Sequence, residues 1–273
     1  MKIAQKYLYL IAFIGTALII FLCCLLVASE NRNAAMKNRL LVLETKIAQE
    51  QQARATAIAT AGPGAATSAV DQKIKDLSTR FVGDTRSLAE KLRDFTVENS
   101  DNHNLAIACK VVADLAENHE ALPDQDLVLL YQTQTSPELK RVIAQVASFR
   151  GDNHLLNTYI AQLQTGLVSS NADERKNTLG KLAKTRSAGA ANLILPLLKE
   201  ADVSVVLDAL LALRVTGNEG QLNALEPLLK HPDESISWLA RDVANHLETL
   251  SEKARTRLLL NDINLELPPI VVQ

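Results

Sequence analysis

The sequence predicts an all-α protein, an α-solenoid of stacked helix pairs behind one N-terminal transmembrane helix. Three observations carry this reading. Residues 7–28, YLYLIAFIGTALIIFLCCLLVA, run for 22 residues without a charge, and at about 1.5 Å per residue such a helix spans about 33 Å, enough to cross a bilayer core. Residues 178–202 and 209–233 match at a shift of 31 in Leu, Gly, Pro and Asp positions. The apolar share of 47% is carried by Leu, Ala, Val and Ile with only 4% aromatics, which suits helices packed through aliphatic side chains better than a β-sandwich.

The N-terminal run follows Lys2 and Lys6, and LVAS at its end offers small residues to a signal peptidase. Its apolar core is longer than the roughly 7–15 residues of a signal peptide, so residues 1–29 read as an uncleaved signal anchor. Arg32, Lys37 and Arg39 follow it, so positive charge on both sides leaves the orientation to the short tail. A two-lysine tail retained in the cytoplasm makes this a single-pass protein of the inner membrane with its C-terminal domain extracytoplasmic, periplasmic in a bacterium. Ile20, Phe21 and Leu22 before Cys23 and Cys24 are too large for a lipoprotein signal.

Within residues 30–69, Met36, Leu40, Leu43 and Ile47 are spaced four, three and four apart. That is an a/d seam able to pair two chains as a short coiled coil, a homodimer through residues 30–50. Glu50 and Arg54 stand where the seam would continue, and a single juxtamembrane helix with one apolar stripe is the alternative. Residues 55–69, small and interrupted by Gly62-Pro63-Gly64, read as a flexible tether. In residues 70–99, Ile74, Leu77, Phe81, Leu88, Leu92 and Phe95 recur at helical spacing, giving an amphipathic helix with a break near Gly83.

Residues 100–262 carry the repeat. At the shift of 31, Leu179 meets Leu210, Leu182 meets Leu213, Gly189 meets Gly220, Pro196-Leu197-Leu198 meets Pro227-Leu228-Leu229, and Asp202 meets Asp233. Upstream, Ile143, Val146 and Ala147 align with Leu179, Leu182 and Ala183 at a shift of 36, the extra length absorbed by QTGLVSSN. Downstream, Trp238 falls at the register of Leu207 and reads as core filler, with an exposed partner anchor as the alternative. The pattern gives about five two-helix units. Ser136-Pro137-Glu138, Asn171 with Glu174, Asp124, Asp202 and Asp233 stand where first helices begin and read as caps. A pair of helices cannot bury its own apolar face, so neighbours stack.

Two helices of about 10–14 residues, a Gly-containing turn and a period near 31 resemble HEAT-like repeats, particularly the short bacterial type also found in phycobilin lyases. The resemblance covers about 160 residues, clearest over residues 136–248, and implies a right-handed superhelix with a concave binding surface. These first helices lack the Pro and Arg often seen in eukaryotic HEAT units, which leaves an armadillo-like or irregular helical repeat as the alternative. The C-terminal residues 263–273, INLELPPIVVQ, alternate Ile263, Leu265 and Leu267 and read as an extended tail that docks along the last repeats, with strand addition to a partner and a frayed tail as the alternatives.

The sequence offers no chemistry of its own. It holds no phosphate-binding glycine loop, no nucleophile elbow and no histidine pair on one helical turn. His103, His119, His154, His231 and His246 scatter over loops and helix ends, and Cys109 in NLAIACKVVADLA reads as a small buried apolar residue. No catalytic, metal or cofactor site is expected. A net charge of −2 lacks the basic excess of a nucleic-acid binder. Arg175, Lys176, Lys181, Lys184 and Arg186 cluster around Glu174 and form a candidate patch for an anion or acidic partner; a solvated helix face is the simpler account of them. The reading is therefore a non-enzymatic, membrane-anchored scaffold that binds a protein partner. The alternatives are a structural subunit of an envelope assembly of secretion or motility type, and a lyase-like binder of small molecules on the concave face.

Overall fold

Helix starts in this chain are set by side chains that take up the free N–H groups of a first turn. The structure, a computed structural model, describes residues 66–78, 84–98 and 101–270. The chain divides after Ala66, and the part beyond it is the one described below. The anchor at residues 7–28, the seam Met36, Leu40, Leu43 and Ile47, and the tether up to residue 65 lie outside the described residues. Among the described residues no helix is long and apolar enough to cross a membrane.

Two helices precede the repeats, α1 (Ala66–Ser78) and α2 (Leu88–Glu98). Ser87 and Glu90 form a capping box at the start of α2, the Glu90 amide donating to Ser87 Oγ at 3.2 Å and the Ser87 amide to Glu90 Oε2 at 2.7 Å. The amphipathic helix expected over residues 70–99 is thus two helices. Leu88, Ala89 and Leu92 of α2 are buried, and Val70, Ile74 and Leu77 of α1 pack against the same core.

The repeats follow as α3 (Asn102–Asp114) with α4 (Asp124–Thr133), α5 (Pro137–Phe149) with α6 (His154–Leu167), α7 (Ala172–Ala183) with α8 (Ala188–Ile194), α9 (Val203–Thr216) with α10 (Leu222–Leu225), and α11 (Glu234–Leu247). α2 packs on α3 and α4 and so begins the repeat body. Among the first helices, α3 packs on α5, α7 on α9 and α9 on α11, while α6 sits against both α5 and α7. The positions matched by the shift of 31 are core: Leu179, Leu182, Leu210 and Leu213 are all fully buried, each contributing about 2 kcal/mol. All the described secondary structure is helical.

Ser136, Asp202 and Asp233 cap as expected, accepting from the amides of Leu139, Ser204 and Ser235 at 3.4, 2.9 and 2.9 Å. Two other caps differ from expectation. Asn171 accepts from the Asp173 amide, but Glu174 bonds Ser169 Oγ rather than reaching back to Asn171, so no capping box forms there. Asp124 is the first helical residue of α4, behind Pro123, and its carboxylate receives Arg150 Nη1 at 2.7 Å.

The second helices of units three and four are shorter than the sequence suggests. α8 turns into a 3-10 helix over Leu195–Lys199, and α10 into another over Glu226–Lys230. Pro196 and Pro227 stand at the start of these segments. Without an N–H, each removes an α-helical bond and the chain tightens. QTGLVSSN is a connection only in its second half, because α6 runs through its first four residues to Leu167. Gly166 is required there: a Cβ at this position would lie 2.3 Å from Thr178 Oγ1 of α7.

Candidate interaction surface

Among the described residues the fifth unit has a first helix but no second. Past α11 the chain turns back as a strap that crosses the turns of units four, three and two in reverse order. The Glu219 amide donates to Leu250 O at 2.9 Å, and Asn218 Nδ2 to the carbonyls of Glu252 and Ala254 at 2.9 and 3.3 Å. Arg255, in the left-handed region at φ 62°, donates to the carbonyls of Arg214 and Gly217, both at 2.8 Å. The Ala188 amide bonds Arg255 O at 2.9 Å, Asn153 Nδ2 bonds Thr256 O at 2.9 Å, and Arg257 Nε bonds Phe149 O at 2.9 Å.

The strap ends in α12 (Leu260–Leu265), which packs on α5 and α3. The tail expected to be extended from residue 263 is therefore helical where it starts. It docks through Ile263 and Leu267, at i and i+4, rather than by alternation: Ile263 is fully buried and Leu267 packs against the core, whereas Leu265 is 60% exposed. Arg141, wholly buried on α5, donates to Glu266 O at 2.5 Å, to Glu138 Oε1 at 2.6 Å and to Gln145 Oε1 at 2.5 Å. Burial alone would raise the Glu138 carboxyl; the hydrogen bond and charge of Arg141, with the charge of Lys184, bring it below its ordinary value.

This arrangement covers one face of α5 and leaves the equivalent face of later units open. By the shift of 36, Arg141, Ala144, Gln145 and Ser148 correspond to Asn177, Gly180, Lys181 and Lys184. The first four are buried and the last four exposed. By the shift of 31 the face continues on α9 through Asp208, Leu211, Ala212 and Val215, of which Ala212 is buried, while Lys176, Leu207 and Trp238 occupy one further register. Between α7 and α9 lies a groove of about 420 Å³, lined by Leu179, Ala183, Leu211 and Val215 and by Glu266 of the strap. Leu211 is 51% exposed and Trp238 67%.

Trp238 is therefore not core filler. Its register partner Leu207 is only half-buried even with α11 against α9, and among the described residues no further first helix follows to cover α11. Within the groove, the half-buried Asp208 makes no hydrogen bond or ion pair among the described residues, and burial raises its pKa against the pull of Lys176. Gly180 opens the floor, since a Cβ there would meet nothing within 4 Å.

The five cations singled out in the sequence are not gathered on one face. Arg175, 13% exposed, turns to Ser169 O at 2.7 Å and Glu200 Oε2 at 2.8 Å. Lys176 pairs with Asp173 at 2.8 Å and Lys184 with Glu138 at 3.7 Å, both bordering the groove. Arg186 holds Glu266 of the strap at 2.6 Å. Lys181 is exposed and has no carboxylate partner among the described residues. Sequence reasoning missed Arg141, Arg150, Arg255 and Arg257, whose guanidinium groups bond main-chain carbonyls at the turns.

Cys109 is fully buried, and burial pushes its thiol up to about 12. Of the histidines, His246 contacts Arg255 Nη2 at 3.2 Å, and the described residues gather no metal-binding cluster.

No family model and no curated protein matches the chain. Among solved structures, a designed armadillo repeat protein, YIII(Dq)4CqI, matches 66% of this chain and all of its own length at 18% identity, with a TM-score of 0.29. The helical-repeat architecture itself rests on the stacking, register and burial described above.

Proposed function

We propose that this protein is a membrane-tethered helical-repeat scaffold that binds a protein partner through the open face of α7, α9 and α11. The observation that carries this is a difference between units: the face that is buried on α5, where α12 packs, is left open on α7 and α9, where Leu211 stands exposed, and Trp238 stands exposed on α11. Exposed aromatic and aliphatic side chains beside a groove are the usual anchors of a protein interface. The lyase-like reading is disfavoured by Cys109, a buried and protonated thiol far from the reactivity of a thiolate.

In this proposal residues 7–28 hold the chain in the inner membrane with the N-terminus in the cytoplasm, and the repeats stand on the periplasmic side as a HEAT-like, right-handed stack. The seam at Met36, Leu40, Leu43 and Ile47 pairs two copies next to the membrane. The uncharged run and the a/d spacing support these statements. A compartment-dependent reporter fused to the C-terminus tests the topology: activity as an extracytoplasmic fusion is expected, and activity as a cytoplasmic fusion overturns it. Reversible crosslinking in cells followed by affinity purification tests the surface. A discrete protein should be recovered with the native chain and lost with Leu211→Glu and Trp238→Glu, while equal recovery from all three overturns this face as the interface.

A further inference from the structure

We infer that the groove between α7 and α9 receives a short helical segment with the chemistry of α12 and the turn after it: two aliphatic residues at i and i+4, with a carboxylate and a side-chain amide between or beside them. This rests on the proposed protein-binding role and names the kind of segment that the partner presents.

The molecule already holds one such segment on the neighbouring unit. α12, packed on α5, buries Ile263, and the turn that follows it packs Leu267 against the same core; Glu266 in that turn meets two cations, its carboxylate on Arg186 and its carbonyl on Arg141. The face continues onto α7 and α9 by register, and Glu266 stands at the boundary between the occupied and open parts. At the position where α5 has buried Ala144, α7 has exposed Gly180, so the open part is also the roomier one.

The charges on the rim complement the same chemistry. Lys176 and Lys184 border the groove with partners that are solvent-exposed or distant, Asp173 being 85% exposed and Glu138 lying at 3.7 Å. Either lysine can accept an incoming carboxylate at small cost. Asp208 offers an acceptor with no hydrogen bond, and a side-chain amide supplies the donor. α12 and its flanks carry both kinds of group, in Asp262, Glu266, Asn261 and Asn264. Apolar contact thus anchors the segment while the rim selects its polar residues.

The test uses the full chain in detergent and a fluorescein-labelled peptide of its own residues 258–270, followed by anisotropy. The discriminating variant is Gly180→Leu, which fills the groove from a site with free space and raises helix propensity. Saturable binding that weakens at least tenfold in Gly180→Leu, with an unchanged or higher melting temperature, is the expected result. Absence of binding overturns the inference. Binding indifferent to Gly180→Leu also overturns it, because the peptide would then be exchanging with α12 on α5. Sedimentation showing a self-association that Gly180→Leu removes and that persists when residues 30–50 are deleted replaces the partner by a second copy and overturns it as well. If crosslinking recovers a partner that depends on Leu211 while the peptide does not bind, the scaffold reading stands and only the α12-like chemistry falls.

Discussion

Arg141 and Glu266, 125 residues apart, are joined at 2.5 Å from a guanidinium Nη2 to a main-chain carbonyl in the interior of the fold. The bond ties the end of the strap to the first helix of unit two. Because the acceptor is backbone, the side chain at position 266 is not what holds it. Arg141→Met leaves Glu138 without its close partner and should cost about 3–5 kcal/mol of unfolding free energy. Glu266→Ala removes only the part-exposed pair with Arg186 and should cost less than about 1 kcal/mol. Urea denaturation of the two variants checks the ranking, and equal losses would mean that the carboxylate is the anchor.

Gly166→Ala should be destabilising by about 1–3 kcal/mol, because α6 and α7 are too close at Thr178 for a Cβ. Thr178→Ala made in the same chain removes the Oγ1 that the new methyl would strike. The double variant should therefore recover part of the loss, a coupling readable from a double-mutant cycle by thermal unfolding.

The strap should loosen in mild acid. Burial first, then the positive charges of Arg214 and Arg255, hold His246 below its ordinary pKa, with Asp242 opposing. Folding therefore favours the neutral ring. Its contribution is fully present above the unfolded value of about 6.5 and is lost as pH falls from there through the folded value. Melting temperature should decline over this window in the native chain and stay flatter in His246→Gln, which keeps an acceptor for Arg255. Parallel curves would assign the decline to other groups.

Trp238→Ser should change stability by no more than about 0.5 kcal/mol, as for an exposed surface site. A core tryptophan at the register of Leu207 would cost several times that. Because the chain has a single tryptophan, its emission maximum in the native protein gives an independent check and should be that of a solvated indole.

The parts of the fold legible in the sequence are those governed by local rules. Leucine spacing gave the first helices and their buried sides, and Ser136, Asp202 and Asp233 marked where they start because a cap acts within three residues. Cys109 was legible for the same reason, lying inside an apolar helical run. The capping box of Ser87 and Glu90 was readable by spacing but was overlooked. The strap was not legible: its bonds run from side chains such as Asn218, Arg255 and Arg257 to carbonyls in distant turns, and main-chain acceptors leave no residue pattern. Trp238 was misplaced because register fixes which way a side chain points, while exposure depends on whether another helix follows. The five basic residues looked like one patch because they are close in sequence, yet Arg175 and Arg186 are drawn to Glu200 and Glu266 on separate elements.

The central claim, that the uncovered face of α7, α9 and α11 is where a partner sits, is tested most directly by site-specific photocrosslinking in cells. A photoreactive residue is placed at Leu211, at Trp238 and, as a control of high exposure away from the groove, at Val168, which is 80% exposed. The account predicts one discrete protein adduct shared by positions 211 and 238 and absent at 168. Adducts of equal yield at all three positions, or none at 211 and 238, would contradict it.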